Sequence, residues 1–154
     1  MLQFIIDGYN LVHKIPEVKG SSTPCSDLLT FIYKNKLTGS NNNEVWVIFD
    51  GGQPPYQINN FQYKIRFSSQ ESADDLIIKK IEGIDNRKQT VVVTDDRQLA
   101  YRARFLGARS ISVDEFVSKT KKRKKKEETK DIEYSLQREI TEELKKIWLD
   151  ENKS

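Results

Sequence analysis

The sequence of 154 residues contains a single cysteine, Cys25, and a single histidine, His13. One cysteine excludes an internal disulfide framework and a multi-cysteine zinc site, and one histidine excludes a metal site built from several imidazoles. A Ser-His-Asp or Cys-His catalytic arrangement would have to use His13, and nothing around it resembles a nucleophile elbow. We therefore expect His13 to have a surface or packing role, with substrate contact as the alternative.

Long hydrophobic runs are also missing. No apolar stretch approaches the roughly 20 residues that a membrane-spanning helix requires. The first apolar run has no basic region before it and is too short for a signal-peptide core. The nucleotide-binding patterns GxGxxG and GxxxxGK[ST] do not occur. We expect a protein of the cytoplasm, or of the plastid stroma if the chain is organellar, that has no membrane partner.

Positive charge is concentrated near the C-terminus. The net charge is +3, and residues 1–118 contain 14 basic and 14 acidic residues, whereas residues 119–154 contain 12 and 9. The segment KTKKRKKK, residues 119–126, has seven basic residues in eight. It is either a solvated linker or a contact for the phosphate backbone of nucleic acid, through residues such as Lys122, Arg123 and Lys124.

The hydrophobic pattern predicts strands that alternate with helices. Short apolar or alternating runs predict strands over 2–6, 44–49, 61–67, 90–93 and 108–113. Helical spacing predicts helices over 26–37, 72–84 and 96–107, with N-caps at Ser26 and Ser72 and a C-terminal Gly107, and a further helix near 114. This order predicts an α/β fold with a mostly parallel sheet. We expect a domain over 1–118, a lysine-rich linker over 119–130 and an amphipathic helix within 131–154.

Most of the predicted buried strands end at an acidic residue. Asp7, Asp50, and the pair Asp95 and Asp96 follow three of them, and Asp74 opens the helix at 72–84. Each alone could be an ordinary turn or cap residue. In a parallel sheet, however, they share one edge, where their mutual repulsion raises pKa values unless a cation offsets it. All-oxygen ligands suit Mg²⁺ or Mn²⁺, which supports phosphodiester hydrolysis.

Four stretches together resemble a known family: IIDGYN (5–10), VIFDGG (47–52), ESADDLI (71–77) and VVVTDDRQL (91–99). Their order and spacing are similar to those of the NYN domain, a branch of the PIN-like nuclease superfamily, and above all to YacP-like NYN proteins, which are implicated as endoribonucleases. The resemblance runs from about residue 2 to 118. It implies a PIN-like three-layer α/β/α sandwich with a central, mostly parallel sheet, followed here by the C-terminal amphipathic helix.

The resemblance also implies roles for residues of the four stretches. Asp7, Asp74 and Asp96 match metal-ligand positions, and Asn10 would orient a metal-bound water or a phosphate. These four are the expected catalytic residues. The fourth acid of the site stays open among Asp95, Asp75, Asp50 and Glu71. The cofactor expected from the carboxylates is Mg²⁺ or Mn²⁺.

Basic and aromatic residues near the predicted site are candidates for RNA contact. The candidates within the domain are Tyr9, Lys14, Arg97, Arg102 and Arg104, with Tyr56, Lys64, Arg66 and Arg109 as further possibilities. Solubilising charge or packing within the domain is the alternative for each.

The expected function is a divalent-metal-dependent endoribonuclease that cleaves single-stranded RNA, with mRNA as the expected substrate. The partners are then RNA and, through the basic segment, the ribosome. A catalytically weak RNA- or ribosome-binding adaptor with the same fold is the alternative, and a toxin nuclease is a third and less attractive possibility.

Overall fold

The computed structural model describes residues 1–59 and 61–118, and the predicted linker and C-terminal helix lie outside the described residues. Its centre is one five-stranded sheet in the order β3-β2-β1-β4-β5. Every neighbouring pair of strands is parallel, which confirms the predicted parallel sheet. The strands are β1 (Gln3–Asp7), β2 (Glu44–Phe49), β3 (Lys64–Phe67), β4 (Thr90–Val93) and β5 (Arg109–Ile111).

Helices cover both faces of the sheet and connect most of the successive strands, whereas the described residues between β2 and β3 form a loop. They are α1 (Gly8–Lys14), α2 (Pro16–Lys19), α3 (Pro24–Lys34), α4 (Ala73–Glu82) and α5 (Arg97–Phe105), with a short 3₁₀ helix at Arg87–Gln89. Residues 113–118 are also helical. Ser72 caps α4 as predicted, because its side chain accepts a hydrogen bond from the backbone N–H of Asp75.

Two hydrophobic clusters form the core, one on each face of the sheet. Successive strand side chains point to opposite faces, so Phe4 and Ile6 pack into one cluster and Ile5 packs into the other. The first cluster includes α1, α2, α3 and the helical residues 113–118, and the second includes α4 and α5. The predicted three-layer α/β/α arrangement is therefore confirmed.

Three local predictions were wrong. Helix α3 begins at Pro24 rather than being capped by Ser26, because proline suits the first helical position. Strand β3 is shorter than predicted, since Phe61 has a positive φ of 52° and stacks on Tyr33 with ring centroids 4.4 Å apart. A helix, α1, follows β1 directly, in a stretch for which no helix was predicted.

Candidate active site

The carboxyl ends of the central strands carry the acidic residues. Asp7 is the last residue of β1, Asp50 directly follows β2, and Asp95 and Asp96 lie between β4 and α5. Asp74 lies in the first turn of α4. Because the strands are parallel, their carboxyl ends meet at the same edge of the sheet, which is where α/β folds bind ligands.

Asp7 is the most buried of these acids, with 6% of its surface exposed. Its Oδ2 accepts a hydrogen bond of 3.1 Å from the hydroxyl of Thr94. Burial raises the pKa of Asp7 to about 6, the Thr94 bond opposes that rise, and the charges of Asp74, Asp96 and Asp50 add to it. The protein therefore holds Asp7 where its negative charge is costly without a nearby cation.

The residues after Asp7 place α1 close to the sheet. A Cβ atom at Gly8 would overlap the ring of Phe49, so glycine is required there by close approach rather than by an unusual φ. Asn10 then accepts a hydrogen bond of 2.9 Å from the backbone N–H of Asp95 through its Oδ1. In the structure Asn10 ties α1 to the loop after β4, and its predicted contact with a water or phosphate stays a prediction.

Asp96 and Asp74 lie at the starts of two helices and interact with each other. Asp96 is the N-cap of α5, where its Oδ1 accepts from the backbone N–H groups of Gln98 at 2.9 Å and Leu99 at 3.2 Å. Burial and the neighbouring Asp96 raise the pKa of Asp74, while Arg102 lowers it. Asp7, Asp74 and Asp96 thus lie within electrostatic reach of one another.

Thr94 is a site residue that the sequence reasoning missed. Its hydroxyl donates to Asp7 and accepts a hydrogen bond of 3.1 Å from the backbone N–H of Asp96. It therefore links two of the three acids, and its side chain is buried. Thr94 lies in the stretch VVVTDDRQL that carries the family resemblance, between the buried strand and the two aspartates, but no role was predicted for it.

The further metal candidates have partners within the protein. Asp95 accepts from the backbone N–H of Val113 at 2.9 Å, and its other oxygen lies 3.3 Å from Lys14. Asp75 lies 3.6 Å from Arg102, and Glu71 pairs with Lys79.

Asp50 is close enough to Asp7 for its negative charge to raise the pKa of Asp7. Its Oδ1 accepts from the hydroxyl of Ser68 at 3.0 Å and from the backbone N–H of Ala73 at 3.2 Å. Asp50 therefore helps to hold the start of α4, and with it Asp74, at the acidic edge.

The side chains of the acidic edge do not form a ready-made metal cage. Within residues 1–59 and 61–118, no group of three His, Cys, Asp or Glu side chains is arranged to hold a metal ion. The same part of the chain has no ion pair that engages Asp7, Asp74 or Asp96. The donor set consists of carboxylate oxygens, which suits Mg²⁺ or Mn²⁺ and not a softer metal.

A cleft of about 510 Å³ lies beside Asp96, between α5 and β5. Three of the predicted RNA-binding residues, Lys14, Arg97 and Arg104, line it together with Thr94. Lys14 is partly neutralised there by Asp95 and by Asp114, which lies 3.6 Å away. Arg102 does not line this cleft and lies next to Asp75 instead.

The aromatic candidates have packing partners in the domain. The Tyr9 ring packs edge-on against Phe49, with centroids 5.2 Å apart, and its hydroxyl accepts from the buried Cys25 thiol. The Tyr56 hydroxyl accepts a hydrogen bond of 3.0 Å from the backbone N–H of Cys25. His13 is exposed, with its ring 6.4 Å from that of Tyr9. The candidates Lys122, Arg123 and Lys124 lie outside the described residues.

Comparison with known proteins identifies the fold and the family. The model of the YacP-like NYN domain matches residues 4–153. The crystal structure of Rae1 (YacP) from Bacillus subtilis is 23% identical, with 90% of this chain and 84% of that chain covered and a TM-score of 0.62. Its W164L mutant is 22% identical, with 84% and 80% covered and a TM-score of 0.65. The search of curated proteins gave no match.

In the part of the chain that the structure describes, no helix is long and apolar enough to cross a membrane.

Proposed function

Because the chain belongs to the YacP-like NYN domain family of PIN-like nucleases, we propose that it is a divalent-metal-dependent endoribonuclease that cleaves single-stranded RNA, with mRNA as the substrate. The observation that carries this proposal is the buried Asp7, whose pKa of about 6 reflects both burial and three neighbouring carboxylates. Such a costly charge is typical of a functional site rather than of a structural turn.

Asp7, Asp74 and Asp96 are the residues that would hold Mg²⁺ or Mn²⁺. When bound, the cation would lower the pKa of a nearby water and stabilise the negative charge on the phosphoryl oxygens. Thr94 orients the carboxylate of Asp7, and the cap at α5 orients that of Asp96. Asp50 acts as a positioning residue for α4, whereas Asp95 and Asp75 are held by basic partners and are weaker candidates.

The cleft beside Asp96 supports a role in substrate binding. Arg97 and Arg104 are seven residues apart on α5, which is two helical turns or about 10 Å along the axis. Both line the cleft, so they present positive charge next to the acidic edge. An acidic site repels RNA unless such cations flank it, and we propose that they bind phosphates adjacent to the cleaved bond.

Substitution of single charges tests the proposal. Asp7→Asn and Asp96→Asn each should abolish Mg²⁺- or Mn²⁺-dependent cleavage of single-stranded RNA while the protein still folds. Asparagine is as good an N-cap as aspartate, so Asp96→Asn removes the charge and keeps the cap of α5. Asp85→Asn is the matched control, because Asp85 is exposed.

Two outcomes would contradict the mechanism. Full cleavage in EDTA would show that no divalent cation is needed. Tight RNA binding by the wild-type protein without any metal-dependent turnover would instead favour the RNA-binding adaptor.

The basic segment at 119–126 is the basis for a proposed ribosome contact. Its seven cations suit the phosphate backbone of a large RNA-rich particle. Cosedimentation of the full chain with ribosomes, compared with a chain that ends at Ser118, measures this contact directly. Equal cosedimentation of the two chains would refute it.

A further inference from the structure

A cluster of cations surrounds Trp46 on the sheet face that α4 covers. The Nζ of Lys80 lies 3.3 Å from the centroid of the indole ring, the Nζ of Lys64 lies 5.1 Å away, and the guanidinium carbon of Arg66 lies 5.6 Å away. Trp46 is half-buried, and the side chain of Lys64 is 56% exposed. The cluster therefore forms a surface patch in which three cations lie around one indole ring, and we name it the Trp46 patch.

The position of β3 explains why this surface is open. β3 is an edge strand, and its register pairs Trp46 with Lys64 and Ile48 with Arg66. Alternate residues of a strand share a face, so Lys64 and Arg66 lie on the same face as Trp46, while Ile65 packs into the opposite cluster. Helix α4 contributes Lys80 from the other side, so the three cations meet where α4 lies beside β2 and β3.

The cations of the Trp46 patch outnumber their anionic partners. Within the described residues Glu44 is the carboxylate beside them, and it accepts from Lys64 and from the indole N–H of Trp46, both at 2.7 Å. Burial lowers the pKa of Lys80, Glu44 partly opposes that shift, and Lys64 and Arg66 lower the pKa further. A partner with several negative charges would relieve this repulsion.

The Trp46 patch and the acidic edge lie along the same elements, α4 and β2. Lys80 follows Asp74 by six residues along α4, which is about 9 Å of helix. Trp46 precedes Asp50 by four residues, which is about 13 Å of strand. At the carboxyl end of β3, Ser68 donates a hydrogen bond to Asp50. A single strand in contact with the acids would therefore reach the Trp46 patch by continuing along α4 and β3.

From this geometry we propose that the Trp46 patch binds the sugar–phosphate backbone of a single-stranded RNA that extends from the acidic site, through Lys64, Arg66 and Lys80. The proposal rests on the ribonuclease function proposed above and adds a second contact surface, separate from the cleft of Arg97 and Arg104. Cation–π packing that only stabilises the sheet edge is the competing explanation, and it predicts no effect on RNA binding.

Salt dependence of binding is the discriminating measurement. For single-stranded nucleic acid, each neutralised phosphate contributes about 0.7 to the slope of log K against log salt, so three cations contribute about 2. Over the tenfold range from about 1 M to 0.1 M salt, that slope corresponds to about a hundredfold in affinity. Lys64→Gln, Arg66→Gln and Lys80→Gln together should therefore weaken binding by about this factor at low salt.

Binding is measured on the full chain by fluorescence anisotropy with an RNA of about 20 nucleotides. The background variant Asp7→Asn prevents cleavage during the measurement. The matched control combines Lys19→Gln, Lys34→Gln and Lys36→Gln, which removes the same charge from exposed positions outside the patch. A reduced slope in the variant of the Trp46 patch, with an unchanged slope in the control, would support the proposal, whereas equal slopes in the two variants would overturn it.

Trp46 provides a second readout that does not depend on those substitutions. The other tryptophan, Trp148, lies outside the described residues, so Trp148→Phe makes Trp46 the sole indole. We expect RNA to change the emission of Trp46 at the concentrations at which anisotropy reports binding. RNA binding without any change in that emission would overturn the proposal. A wild-type protein that neither binds nor cleaves RNA would refute the ribonuclease itself, which is a distinguishable result.

Discussion

Asp7→Asn should stabilise the metal-free protein at neutral pH. The pKa of Asp7 rises from 3.8 in an ordinary environment to about 6 in the fold, mainly because the carboxylate is buried. Each pKa unit corresponds to about 1.4 kcal/mol, so ionised Asp7 costs up to about 3 kcal/mol of folding free energy. Asparagine removes the charge and keeps an oxygen that can accept from Thr94.

The gain in folding stability from Asp7→Asn depends on pH. Above pH 6 the folded state carries an ionised Asp7 at full cost, and below pH 4 the carboxyl is protonated in both states. The gain from Asp7→Asn should therefore be full near neutral pH, fall between about pH 6 and 4, and vanish below that range. For a domain of this size, about 3 kcal/mol corresponds to an increase in Tm on the order of 10 °C.

Urea unfolding in EDTA at about pH 7.5 and about pH 4 measures the difference by linear extrapolation. Asp85→Asn is the control, because an exposed substitution should change stability by less than about 0.5 kcal/mol at either pH. An equal gain for Asp7→Asn at both pH values would refute the electrostatic reasoning, since shape rather than charge would then explain it. No gain at neutral pH would show that Asp7 is not destabilised in the fold.

Three further predictions concern neighbouring positions. Asp96→Ala should cost about 1 kcal/mol more stability than Asp96→Asn, because only alanine removes the cap of α5, and thermal unfolding of the two variants compares them. Gly8→Ala should destabilise the fold by about 1–3 kcal/mol, since its Cβ would overlap the Phe49 ring, and a stability equal to wild type would contradict the close approach. Thr94→Val should lower stability by about 1–3 kcal/mol and raise the pKa of Asp7 further, because the hydrogen bond to that carboxylate is lost. An NMR titration of the Asp7 carboxyl measures the pKa, and an unchanged pKa would show that the Thr94 bond is unimportant.

Much of the fold was predictable because short stretches of consecutive residues are enough to identify several of its strands. The runs EVWVIF and TVVV are short, apolar and rich in β-branched residues, and both form strands with the predicted bounds. The start of α4 was predictable from Ser72, whose cap depends only on residues within the same turn. In contrast, α1 was missed because Gly8 is locally typical of a turn. The actual requirement for Gly8 is its close approach to the ring of Phe49, some 40 residues away along the chain.

The candidate site was predictable only in outline. Strands that end in acids and run parallel must place those acids on one edge, whatever the packing details. Which acids face one another depends on their partners. Lys14 and the backbone of Val113 hold Asp95, whereas the neutral hydroxyl of Thr94 holds Asp7.

The sequence by itself determined the parallel α/β order, the family resemblance and the group of strand-end acids, because these depend on local pattern and on topology. Tertiary structure decided that Asp7 is the buried acid, that Thr94 joins it to Asp96, and that Lys64, Arg66 and Lys80 meet at Trp46. The physical reason is that burial and long-range contacts set the cost of a charge, and residues distant along the chain supply both.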